Sequence, residues 1–186
     1  MKNRILGVAA ASLLAAAALA QTSEVGQRAE NQQDRIAQGV GSGQLTAGET
    51  ANLEKKESAI NQEVHTDRAL NGGKLTAAEK QQVNQQQNKL SGQVYGDKHN
   101  AATQHYGNNQ VDARRENQQD RIANGIKSGK LNAAQTARLE KGESAINQEV
   151  HTDRSLNGGK LTAAEKKQVN QQQNVASKKI YNNKHK

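Results

Sequence analysis

Cysteine, proline, phenylalanine and tryptophan are missing from this chain of 186 residues, and three tyrosines are its only aromatic side chains other than histidine. Without cysteine there is no disulfide framework and no thiol near the N-terminus to carry a lipid. Without phenylalanine and tryptophan, only Tyr95, Tyr106 and Tyr181 could stack on bases. No dense basic stripe accompanies them, so nucleic acid is not an expected partner. Large aliphatics are scarce as well: from Gln21 onward there are 24 Leu, Ile and Val in 166 positions. That scarcity alone predicts disorder. The missing proline argues the other way, and so does the abundance of Ala, Gln, Glu, Lys and Arg, all good helix formers. The balance predicts helices around a thin core, with a homodimer, or one repeat packed on another, needed to bury a narrow apolar stripe.

What is present is a repeated turn. Gly43-Gln44-Leu45-Thr46-Ala47-Gly48-Glu49 returns as Gly73 to Glu79, Gly129 to Gln135 and Gly159 to Glu165. The glycine allows one helix to end in a left-handed conformation. Thr46, Thr76, Asn132 and Thr162 are N-cap residues for the next helix. Glu49, Glu79, Gln135 and Glu165 stand three residues later and complete capping boxes. Between turns, Leu53, Ile60 and Val64 are spaced by seven and four, as are Val83, Leu90 and Val94. Each set lies on one side of a helix. Positions 30–88 match positions 116–174 at 48 of 59 places, a tandem duplication at an offset of 86. The fold class expected is all-α: antiparallel helical hairpins in two tandem copies of a three-helix unit. Copy one covers 21–94 and copy two 115–181. Residues 95–114 read as a linker or, because glycines interrupt an otherwise helical stretch, as a kinked helix. A basic tail, 182–186, follows.

Residues 1–20 read as a secretory signal peptide: Lys2 and Arg4, an apolar run, then Ala18-Leu19-Ala20. The expected location is therefore periplasmic or secreted, with no integral membrane span after cleavage. The formal charge is +8. Spread along the chain, with only small clusters at Arg114-Arg115, Lys178-Lys179 and 184–186, it suits a protein or an acidic envelope polymer as partner.

Catalytic and metal chemistry find little support. There is no Gly-x-Ser-x-Gly elbow and no His-Glu-x-x-His pair. Glu54, Glu57, Glu63 and Asp67 read as solvated carboxylates on polar helix faces, and no enzyme activity or cofactor is expected. The turn has the second half of an EF-hand loop, but with Gly73 at the sixth position the first, third and fifth fall on Arg68, Leu70 and Gly72, which give Ca2+ no side-chain oxygen. His65 and His151 occupy equivalent places and are the remaining metal candidates, more simply read as surface residues. The tracts of Asn and Gln, such as 84–88 and 170–174, read as soluble helical surface.

The Leu-Thr-Ala-x-Glu turns and Leu131-Asn132-Ala133-Ala134-Gln135 resemble the Leu-Thr-x-x-Gln motif of small periplasmic helical stress proteins related to Spy and CpxP. The resemblance covers five residues per repeat. It implies an ATP-independent chaperone or stress protein that dimerises into a basic cradle. The Gly-x-Leu-Thr-x-x-Glu hairpin is also similar to SHOCT-type modules, which implies oligomerisation. The overall hydrophilicity resembles that of desiccation-protective hydrophilins. The expectation overall is an exported, non-enzymatic binding or protective component of a bacterial-type cell envelope, with chaperone, metal-binding and desiccation roles as alternatives.

Overall fold

Thr46, Thr76, Asn109, Asn132 and Thr162 each receive the first free N–H groups of the helix that follows. The computed structural model describes residues 24–185. The segment read as a signal peptide lies outside them, as does Lys186 of the basic tail. Six helices follow one another: α1 (Glu24–Gly41), α2 (Ala47–Leu70), α3 (Ala77–Lys98), α4 (Gln110–Lys127), α5 (Ala133–Leu156) and α6 (Ala163–Lys184). No strand occurs among the described residues. Both halves of the capping box form at Thr46/Glu49, Thr76/Glu79, Asn132/Gln135 and Thr162/Glu165. The turn glycines take the left-handed conformation, with φ of 71° at Gly43, 88° at Gly73, 67° at Gly129 and 86° at Gly159.

The kinked-helix reading of 95–114 is corrected. α3 continues to Lys98, residues 99–109 are non-helical, and α4 begins afresh because Asn109 accepts from the N–H groups of Val111 and Asp112. This connector is tied to both copies through Gln104. Gln104 donates its backbone N–H to the Gly43 carbonyl at 2.8 Å, and its side chain accepts from Asn147 of α5 at 3.1 Å.

α3 lies on α1 and α2, and α6 lies on α4 and α5. The two units meet through α1 against α4 and, most extensively, α2 against α5. A Cβ on Gly48, near the start of α2, would lie 3.3 Å from Ser144, while further along α2 Glu54 feels the charge of Glu140, further back on α5. Advancing on one helix means retreating on the other, so α2 and α5 run antiparallel about a pseudo-twofold axis near Leu53 and Leu139. Gly48, Ala51, Ala134 and Ala137 line an open groove along this contact.

The thin apolar core is extended by amides. Gln32, Gln87, Gln118 and Gln173 are buried. Gln32 donates to the Gln87 carbonyl at 2.8 Å and Gln87 to the Val25 carbonyl at 2.9 Å, tying α1 to α3. Gln118 and Gln173 repeat this in copy two. Gln82 and Gln86 of α3 both donate to Glu63 of α2, and Gln168 and Gln172 of α6 to Glu149 of α5. The glutamine tracts are therefore partly core, which corrects their reading as soluble surface. Each of the four buried glutamines donates to a backbone carbonyl of a neighbouring helix, a bond that a leucine could not make.

The turns also depend on two helical glycines. A Cβ at Gly39 would fall 2.7 Å from the Leu45 side chain, and one at Gly125 would fall 2.5 Å from Leu131. Gly92, inside α3, has open space around it. Gly39→Ala is therefore expected to lower stability by roughly 1–3 kcal/mol through overpacking, whereas Gly92→Ala should raise it by up to about 1 kcal/mol. Urea unfolding midpoints measured side by side check the opposite signs.

Candidate functional site

The feature that local pattern least prepares for is a layer of four buried glutamates at the pseudo-twofold axis. Glu54 and Glu57 from α2 and their equivalents Glu140 and Glu143 from α5 are each no more than 1 % exposed. The reading of Glu54 and Glu57 as solvated is thus corrected. The i, i+3 spacing keeps each pair on one helix face, and that face is turned toward the other copy because Leu53 and Leu139 beside it are core. Gln33 of α1 donates to Glu54 and Gln119 of α4 donates to Glu140, both at 2.9 Å. The other oxygen of Glu54, the other oxygen of Glu140 and both oxygens of Glu57 and Glu143 have no hydrogen-bond partner.

Burial without a cation to match favours the neutral acid. Desolvation pushes Glu54 up to about 8, with the Gln33 hydrogen bond opposing and the neighbouring Glu57 adding to the rise. Glu57 is pushed up to about 7 by burial, tempered by Asn61 alongside it. Glu143 reaches about 7, where Arg115 and Arg121 hold it back. Glu140 is raised well above the ordinary carboxylate range by burial, and the charges of Glu143 and Glu54 act in the same direction.

Copy two carries an ionic device that copy one lacks the residues for. Asp112 and Arg115 stand where copy one has Gly26 and Ala29. Arg115 meets Asp112 at 2.9 Å, Arg154 meets it at 2.9 Å, and Arg115 also donates to Asn147 at 2.6 Å. Burial alone would raise Asp112, but the bonds from Arg154 and Arg115 outweigh it and hold the carboxyl below its ordinary value. The Arg115 guanidinium lies 5.3 Å from the ring centroid of Tyr106, whose hydroxyl is buried without a partner.

The candidate metal ligands are not brought together. His65 and His151 are exposed, and among the described residues no group of three or more His, Cys, Asp or Glu is placed to hold a metal ion. The capping residues Thr46, Glu49, Thr76, Glu79, Asn132, Gln135, Thr162 and Glu165 serve the turns and lie apart from the glutamate layer. No protein-family model, curated protein or solved structure matches this chain.

The charge is also less evenly spread than it first reads. Residues 24–98 hold ten acids and nine bases, and residues 110–186 hold eight acids and fifteen bases, so the copies carry −1 and +7. Much of the difference is at exposed positions: Lys127, Lys130, Arg138, Lys167, Lys178 and Lys179 replace Gly41, Gln44, Asn52, Gln81, Gly92 and Gln93. Counting charge copy by copy, with the duplication already in hand, finds this signal.

The raised glutamates set a pH dependence whose sign follows from linkage. A carboxyl with a folded value above its unfolded value of 4.5 contributes stability that is fully present below about 4.5 and is lost as pH rises through 7 to 8. Asp112, held low, works in the opposite direction and loses its contribution only in stronger acid. The urea midpoint is expected to be higher at about pH 5.5 than at about pH 8.5. Glu54→Gln with Glu140→Gln should flatten that slope; a midpoint that climbs with pH contradicts the assignment.

Proposed function

We propose that this protein is an exported, non-enzymatic helical-repeat protein that binds an acidic polymer of a bacterial-type cell envelope, with copy two as the binding half and copy one as its structural counterweight. The charge split carries the reading. Two copies that match at 48 of 59 positions, and share helix order and caps, differ by eight units of charge. A single exposed cation contributes little on its own. Six of them on one module create a field that attracts and retains a polyanion. The contact between the copies adds to the basic surface, because α2 and α5 bury acids inside while Lys55, Arg138 and Lys141 line the open groove between them, about 740 Å3, without a carboxylate. The apolar run at 1–20 supports an extracytoplasmic location, and no described helix is long and apolar enough to cross a membrane.

The test uses poly(glycerol phosphate) as the acidic polymer. Binding is expected at low ionic strength and should weaken steeply above about 0.15 M salt. Replacing Lys127, Lys130, Lys167 and Lys178 by glutamine should cut affinity by about tenfold or more, while glutamine at Lys74, Lys80 and Lys89 of copy one should change it by less than about threefold. Equal losses from the two sets would overturn the division of labour between the copies.

A further inference from the structure

Copy two differs from copy one at one place where the exchanges all act together. At the α5–α6 face, Lys56 is replaced by Gly142, Lys89 by Val175 and Leu90 by Ala176. In copy one the space is filled: Leu90 is 2 % exposed and joins the main core, and the Lys56 ammonium reaches across to Gln93. In copy two the same exchanges leave a groove of about 310 Å3. Leu139, Ile146, Val175 and Ala176 give it apolar walls, and Val175 is 54 % exposed. Shortening Leu90 to Ala176 also divides the core, so that Val111, Ile146, Val150, Leu161 and Val169 form a separate cluster with Ala176 against it.

Two further exchanges restore elsewhere on this face the two positive charges lost with Lys56 and Lys89. Arg138 and Lys179 line the groove where copy one has Asn52 and Gln93. The carboxylate in the same lining, Glu149, is engaged by Gln168 and Gln172, each at 2.7 Å. Glu143 also lines the groove, but its carboxyl oxygens are buried. Apolar walls with two cations beside them describe a complementary molecule with an alkyl tail and an anionic head.

We propose that the α5–α6 groove of copy two binds a single-chain alkyl carboxylate, its tail against Leu139, Ile146, Val175 and Ala176 and its head beside Arg138 and Lys179. The size favours a free fatty acid over a two-chained lipid, since about 310 Å3 is at the low end of the range for small-molecule sites, about 300–1,000 Å3. The proposal does not rest on the polymer-binding reading, because it uses the groove and not the wider basic surface.

The experiment is calorimetric titration of the full chain with decanoate at about pH 6, with decyltrimethylammonium as the chain-matched cation. Decanoate is expected to bind at least about tenfold tighter than the cation. Ala176→Leu and, independently, Gly142→Lys restore the residues of copy one and should each weaken decanoate at least about tenfold with helix content unchanged by circular dichroism. No heat with the natural protein overturns the proposal, as does equal binding of both amphiphiles or unchanged affinity in both groove-filling variants. Binding to phosphatidylglycerol vesicles without binding to decanoate also overturns it, in favour of a membrane acyl chain.

Discussion

Everything in this structure depends on two helices approaching closely through a face that carries four carboxyl groups. The antiparallel contact of α2 and α5 leaves an open groove lined by Gly48, Ala51, Ala134 and Ala137, while it places Glu54, Glu57, Glu140 and Glu143 out of reach of water. Two of the four have a glutamine donor, and none is bonded by a basic side chain. Such a layer is tolerated when its members hold their protons. The contact that unites the two copies is therefore also the contact most sensitive to proton concentration. In a chain with so few large apolar side chains, the layer cannot simply be overridden by hydrophobic burial elsewhere.

Glutamine fills the role that aromatic and aliphatic residues have in richer cores. Gln32 and Gln87 exchange bonds with backbone carbonyls between α1 and α3, and the pattern recurs unchanged at Gln118 and Gln173. These bonds are directional, so they fix the register of α3 and α6 on their own copies more tightly than a thin apolar stripe alone. The duplication then provides two equivalent units whose surfaces have diverged. One is nearly neutral and the other strongly basic, with a groove where a leucine has become Ala176 and a lysine Gly142.

The helices and their ends were legible because each is set by residues close in sequence: Thr76 meets Glu79 three positions away, and Gly73 supplies a backbone conformation that other residues resist. The seven-and-four spacing of Leu53, Ile60 and Val64 likewise marks one face of a single helix. What the spacing could not convey is the second partner of α2. Glu54 and Glu57 look polar and exposed on a helix wheel, and only the approach of α5 buries them. Gln87 is ambiguous for the same reason, since an amide suits water or a backbone carbonyl equally well. The groove beside Ala176 was visible in principle, because its exchanges emerge when the copies are compared position by position, but its depth depends on how α6 lies on α5.

The central claim is that the four glutamates are neutral in the folded protein around pH 6. A 13C NMR titration of the side-chain carboxyl carbons of Glu54, Glu57, Glu140 and Glu143 tests it most directly. The structure predicts midpoints of about 8 for Glu54 and about 7 for Glu57 and Glu143, with Glu140 well above an ordinary carboxylate. Four midpoints clustered near 4.5, the ordinary value for glutamate, would contradict it.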